Sequence, residues 1–157
     1  VWRLDDSHRR TDPAVPQEHR RRRQGAPFAI DSLIGQSKVA LTPGTVTLVV
    51  FWATWCEPCK KLFPKYQELY VNHKASGLEI AAVSVDEERS GIADFAKRLG
   101  ATFPVGWDEG WKVADQYQRP GVPTAYIIGK SGKVKHIHRG YRDGEENEIE
   151  KEIESLL

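Results

Sequence analysis

Apolar residues fall along this chain in blocks whose period changes from one to the next. Thr45-Val46-Thr47-Leu48-Val49-Val50-Phe51-Trp52 is a near-continuous apolar run rich in β-branched residues. Such a run predicts a strand buried on both faces, hence a central parallel strand. After Cys56 the pattern switches: Leu62, Phe63, Tyr66, Leu69 and Tyr70 fall on one helical face, and Gly77 is the candidate C-cap. Leu78 to Val85 reads as a second buried strand. Ile92, Phe95, Ala96 and Leu99 make a helical stripe ending at Gly100, and a short extended piece follows over 102–105. Trp111, Ala114 and Tyr117 mark a short helix. Thr124 to Ile128 is a strand, Lys130-Ser131-Gly132-Lys133 a turn, and Val134 to His138 pairs back as a hairpin. Ile149, Ile153 and Leu156 are the stripe of a C-terminal helix, while Phe28, Ile30, Leu33 and Ile34 are expected to cover one edge of the core. This alternation predicts an α/β domain, a mixed sheet with helices on both faces.

Residues 1–25 read differently. Seven arginines (Arg3, Arg9, Arg10 and Arg20 to Arg23) sit with Pro13 and Pro16 among almost no apolar residues. Such a stretch cannot bury enough surface to offset ordering entropy, so a disordered tail is expected over 1–25 and the folded domain over 26–157. His19 to Arg23 is expected to be a solvated charge run, with contact to anionic lipid as the sharper reading. Over the whole chain, 23 basic against 22 acidic residues leave a net charge of +1, which gives no reason to expect a nucleic-acid partner. No run of 18 apolar residues exists to span a bilayer. Methionine is absent and the chain opens on Val1, so it reads as a processed or trimmed product, from which a leader or anchor could have been removed.

The two cysteines, Cys56 and Cys59, cannot make a disulfide framework, but their place carries chemistry. Trp55-Cys56-Glu57-Pro58-Cys59 lies where the buried run gives way to the amphipathic helix. Residues three apart at a helix start stand one turn apart on nearly one face, so their sulfurs can meet. Pro58 falls in the first turn, where a missing N–H costs little. Cys56 then stands among unpaired N–H groups at the positive end of the helix, which favours its thiolate. That thiolate attacks a partner disulfide, and Cys59, deeper and less exposed, resolves the mixed disulfide. Glu57 sets a negative charge beside Cys56 and opposes the thiolate, and no histidine lies between the cysteines to favour it. The expected potential is roughly −200 to −270 mV, that of a reductant rather than a strong oxidant. A zinc site would need further ligands, of which His136 and His138, sharing one strand face, are the suggestive pair. Beside Lys133 and Lys135 they read instead as polar surface, and His8, His19 and His73 carry no signal. No metal and no cofactor is called for.

The segment Phe51 to Lys61 resembles the active-site segment of thioredoxin-fold proteins, and more narrowly of the TlpA/ResA group of extracytoplasmic thiol–disulfide oxidoreductases. Pro64 matches a kinking proline of the family's helix. Gly121-Val122-Pro123-Thr124 resembles the loop that holds a cis-proline opposite the active site, and Val83 to Val105 resembles the group's helical insertion. The resemblance covers about residues 26–157. It implies a thioredoxin-like fold, a cis Val122–Pro123 bond, and a partner-binding face framed by Trp55, Pro58, Val122 and Pro123. It further implies reduction of protein disulfides in the periplasm, as in cytochrome c maturation, by a monomer fed by an upstream membrane thiol donor and anchored through a preceding segment.

Two positions depart from the family. Val50 stands where many thioredoxins have a buried Asp, and Leu62 where the narrower group often has a Glu. Both carboxylates that would take the Cys59 proton are missing, and water is the default acceptor. The same fold admits other functions. A cytoplasmic thioredoxin analogue or a general oxidant would use the same residues. A peroxiredoxin-like peroxidase would place a Thr three residues before a lone Cys, whereas Thr54 lies two before Cys56. A copper chaperone would use a wider C-x-x-x-C.

Overall fold

The computed structural model describes residues 24–35 and 37–157. The arginine-rich run, expected as solvated charge with lipid contact as the sharper reading, lies outside the described residues. In chain order the elements are β1 (Ala29–Asp31), β2 (Lys38–Ala40), β3 (Val46–Trp52), α1 (Glu57–His73), β4 (Leu78–Ser84), α2 (Ile92–Arg98), β5 (Val105–Trp107), α3 (Lys112–Gln116), β6 (Thr124–Ile128), β7 (Val134–Arg139) and α4 (Glu145–Leu156). Five strands form one mixed sheet in the order β5-β4-β3-β6-β7. β3 is central and buried along its whole length, as its apolar run requires. It pairs parallel with β4 and antiparallel with β6.

Neighbouring residues of β3 point to opposite faces. Trp52 meets Phe63 of α1 and Phe95 of α2, with ring centroids 4.5 and 5.7 Å away. Phe51 meets Tyr117, just after α3, and Tyr126 of β6 at 5.3 and 5.9 Å. Helical segments therefore cover both faces, as the alternating pattern predicts. Tyr117 also donates from its hydroxyl to the Ala26 carbonyl, tying the start of the domain to this second face.

Two stretches differ from the sequence reading. Phe28 to Ile34 does more than cover an edge. Its residues 29–31 pair antiparallel with β2 as a separate hairpin. That hairpin packs on β5 so closely that a Cβ at Gly106 would lie 2.7 Å from Ile30 and 2.9 Å from Val39. Glycine is what lets the backbones approach. The extended piece expected over 102–105 is a strand only from Val105 to Trp107, because Pro104 has no N–H to give the ladder. At the end of the stretch assigned to the tail, buried Gly25 donates to the Gly132 carbonyl at 2.8 Å.

β7 is an edge strand whose exposed residues are Lys135, Ile137 and Arg139. The histidines expected as polar surface point the other way, toward α4. The side chain of His138 is only 10% exposed, with Nδ1 2.7 Å from Glu145 and Nε2 2.7 Å from Glu152. His136 lies 3.5 Å from the same Glu152. The partners sit 7 and 14 residues further on, which is why no local pattern betrays them. Carboxylates only accept, so both ring nitrogens of His138 must donate and the ring is an imidazolium. Burial pulls its pKa down, but the hydrogen bonds and charges of Glu152 and Glu145 outweigh this and hold it above the usual histidine value.

A raised folded pKa means the folded state keeps a proton that the unfolded chain releases near pH 6.5. The clasp thus contributes its full stability below that pH and loses it as pH rises through the folded value. His138→Gln should accordingly cost stability at pH 6 and progressively less toward pH 9 in urea titrations. A cost that grows with pH would contradict the clasp.

Candidate active site

The site lies at the carboxyl end of β3. The chain leaves the sheet after Trp52 and turns over Ala53 to Cys56, closed by a bond from the Cys56 N–H to the Ala53 carbonyl at 3.1 Å. Helix α1 then starts at Glu57 with Cys56 as its N-cap, in extended conformation, and Pro58 in the first turn. Cys56 and Cys59 are joined as a disulfide with Cα atoms 5.4 Å apart. Cys59 is fully buried and Cys56 is 4% exposed, so the first cysteine is the outer one. Pro58 has no N–H and the Cys59 N–H donates to the Cys56 carbonyl at 3.2 Å, so it is the positive end of the helix dipole that favours a negative charge on the Cys56 sulfur once the bond is reduced.

Around this pair the surface is uneven. Trp55 is 65% exposed beside the buried sulfurs, and Pro58 is exposed as well. Glu57 points to solvent and is paired with Lys60 at 2.7 Å, so its charge is partly answered on its own helix. The Val122–Pro123 bond is cis. The ladder pairs Phe51 with Thr124, so the next step along it sets Pro123 level with Trp52, at the end of the sheet where the dithiol stands. Pro123 is buried and Val122 half-buried. Pro64 lies exposed inside α1.

Val50 and Leu62, at the two positions where carboxylates were expected in the family, are buried in the apolar core. The buried acid beside the site is one that sequence reasoning missed, Asp86. It follows β4 by two residues. In a parallel pair the carboxyl ends of neighbouring strands lie side by side, so this position falls next to the turn after β3. Asp86 accepts from the Thr54 N–H at 3.0 Å, from the Thr54 hydroxyl at 2.6 Å and from the Ser84 hydroxyl at 2.5 Å. Its own carbonyl accepts from the Trp107 indole at 2.9 Å. The signal available in the sequence was an Asp directly after a buried strand adjacent to the one that carries the motif.

The histidines raised as metal ligands are otherwise engaged. Both nitrogens of His138 face glutamates, and the two cysteines are bonded to one another. His73, at the end of α1, is not idle: its Nε2 lies 3.0 Å from Glu150 and 3.6 Å from Glu154 of α4.

A central β3 flanked by parallel and antiparallel neighbours, a strand-to-helix turn carrying C-x-x-C and a cis-proline at the same sheet end define a thioredoxin-fold protein with a dithiol site. The sequence profile of the AhpC/TSA family matches residues 27–137, and the chain belongs to that family. It is similar to the thiol-disulfide oxidoreductase ResA of Geobacillus kaustophilus, 41% identical over 106 residues, which is 68% of this chain and 60% of that protein. The ResA of Bacillus subtilis is 42% identical over 90 residues, 57% of this chain and 50% of that protein. The chain thus spans about three-fifths or less of the length of these curated relatives. Among solved structures, a Chlorobium tepidum chain assigned as thiol:disulfide interchange protein DsbE superposes with a TM-score of 0.78 at 29% identity, covering 85% of this chain and 95% of that one.

Proposed function

We propose that this chain is a thiol–disulfide oxidoreductase that reduces disulfides of other proteins outside the cytoplasm through Cys56 and Cys59. The observation that carries the reading is the dithiol itself, two cysteines one turn apart at the start of α1 with the outer one at the N-cap. Resemblance to the relatives named as thiol-disulfide oxidoreductases supports it. In the reduced chain the Cys56 thiolate attacks one sulfur of the partner disulfide. A mixed disulfide forms and the partner's other sulfur leaves as a thiolate, which takes up a proton. Cys59 then loses its proton to water and attacks the Cys56 sulfur. The partner leaves with two thiols and the chain keeps the Cys56–Cys59 disulfide, so two electrons have passed to the partner. A membrane thiol donor restores the dithiol, and a role in cytochrome c maturation belongs to this proposal. Trp55, Pro58, Val122 and Pro123 form the rim on which an extended partner segment lies, its backbone pairing with Val122 as an added strand does.

The order of attack is open to a direct test. Cys59→Ser removes the resolving thiol and should accumulate mixed disulfides through Cys56 with a cysteine-containing substrate protein, visible on non-reducing gels. Stronger trapping by Cys56→Ser would reverse the two roles.

A further inference from the structure

We propose that Asp86 is a positioning residue for the dithiol: through Thr54 it fixes the turn that presents Cys56, and its charge weighs against a thiolate there. This inference rests on the dithiol reading above and deepens it. Asp86 is 8% exposed, and both of its carboxylate oxygens are spent on the loop and on its own strand end. Three donors converge on it, two of them from Thr54. The Ser84 hydroxyl that donates to the carboxylate also accepts from the Asp86 N–H at 3.1 Å, which closes the group on itself. Trp107 holds its carbonyl from the far side.

Thr54 is the middle of the turn and stands two residues before Cys56, so their Cα atoms are at most about 7.6 Å apart. With its N–H and its hydroxyl both directed at one carboxylate, Thr54 has a single orientation. The turn therefore cannot swing the outer cysteine away from the helix N-terminus. A buried carboxylate is screened far less than a surface one, and a like charge nearby disfavours a thiolate. The helix end and Asp86 thus act on Cys56 in opposite senses. Glu57, exposed and paired with Lys60, is the weaker counterweight of the two acids, because water screens it.

The test compares wild type, Asp86→Asn and Thr54→Val, each folded by circular dichroism. The readouts are the dithiol–disulfide equilibrium in glutathione buffers and the pH profile of thiolate absorbance. Asp86→Asn removes the charge and keeps the size. It should move the equilibrium about tenfold toward the dithiol, about 30 mV for this two-electron couple, and bring the Cys56 thiolate out at lower pH. Thr54→Val leaves the charge and loosens the turn. It should slow reduction of an added protein disulfide several-fold and, by letting Cys56 leave the helix end, bring its thiolate out at higher pH. An Asp86→Asn protein within twofold of wild type in equilibrium, with an unmoved profile, overturns the inference. If Asp86→Asn does not fold, wild-type rates for Thr54→Val overturn it. A wild-type protein that never exchanges with glutathione overturns the oxidoreductase reading itself.

Discussion

Cys56→Ser should leave no turnover above the uncatalysed background in a protein-disulfide reduction assay, while the protein stays folded. The expectation follows from place and chemistry together. The hydroxyl of serine is not ionised at neutral pH and does not attack a disulfide sulfur, so the first step is lost rather than slowed. Cys59 cannot substitute for it, because it is fully buried behind Cys56. The fold, by contrast, has little reliance on this side chain. Cys56 ends the turn as an N-cap without a side-chain cap bond, so a serine there can only add one. Residual turnover above background in Cys56→Ser would show that Cys59 is reachable by a partner and that the burial order has been misjudged.

The second large effect concerns the base on which the site stands. Phe63→Ala should destabilise the domain by about 3–5 kcal/mol, read as a lower urea midpoint. Phe63 is fully buried, with ring centroids 4.5 Å from Trp52 and 5.4 Å from Phe103. It follows Cys59 by one helical turn and ties α1 to Trp52 at the end of β3. Its truncation leaves a cavity among large aromatic rings that cannot close on it without tearing other contacts. A loss below about 1 kcal/mol would mean the aromatic cluster repacks freely.

The fold was legible wherever burial and local pattern coincide. β3, β4 and β6 are apolar runs because both faces of the sheet are covered, and α1 shows its stripe because only one side of it meets the sheet. The cysteine pair was legible for the same reason, standing where one period gives way to the other. Tertiary partners were not legible. β1 and β2 are three residues each, too short to show a period, and they exist because the hairpin seats against Gly106. His138 reads as exposed in the sequence because its lysine neighbours are local and its glutamates are not. Asp86 was missed because its meaning depends on Thr54, 32 residues away, and on the parallel pairing that brings them together.

Strand β7 closes one side of the sheet, and sheet borders invite a stranger's strand to join. Its outward residues decide how such an invitation ends. If another molecule laid its own β7 alongside in antiparallel fashion centred on Ile137, Lys135 of each would come to rest opposite Arg139 of the other. In the parallel in-register alternative, lysine would face lysine and arginine would face arginine. Either arrangement sets cation against cation at the shortest cross-strand spacing, a mutual repulsion that works against fibre growth. Among the described residues, the exposed isoleucine between them is thereby guarded by a cation on either side.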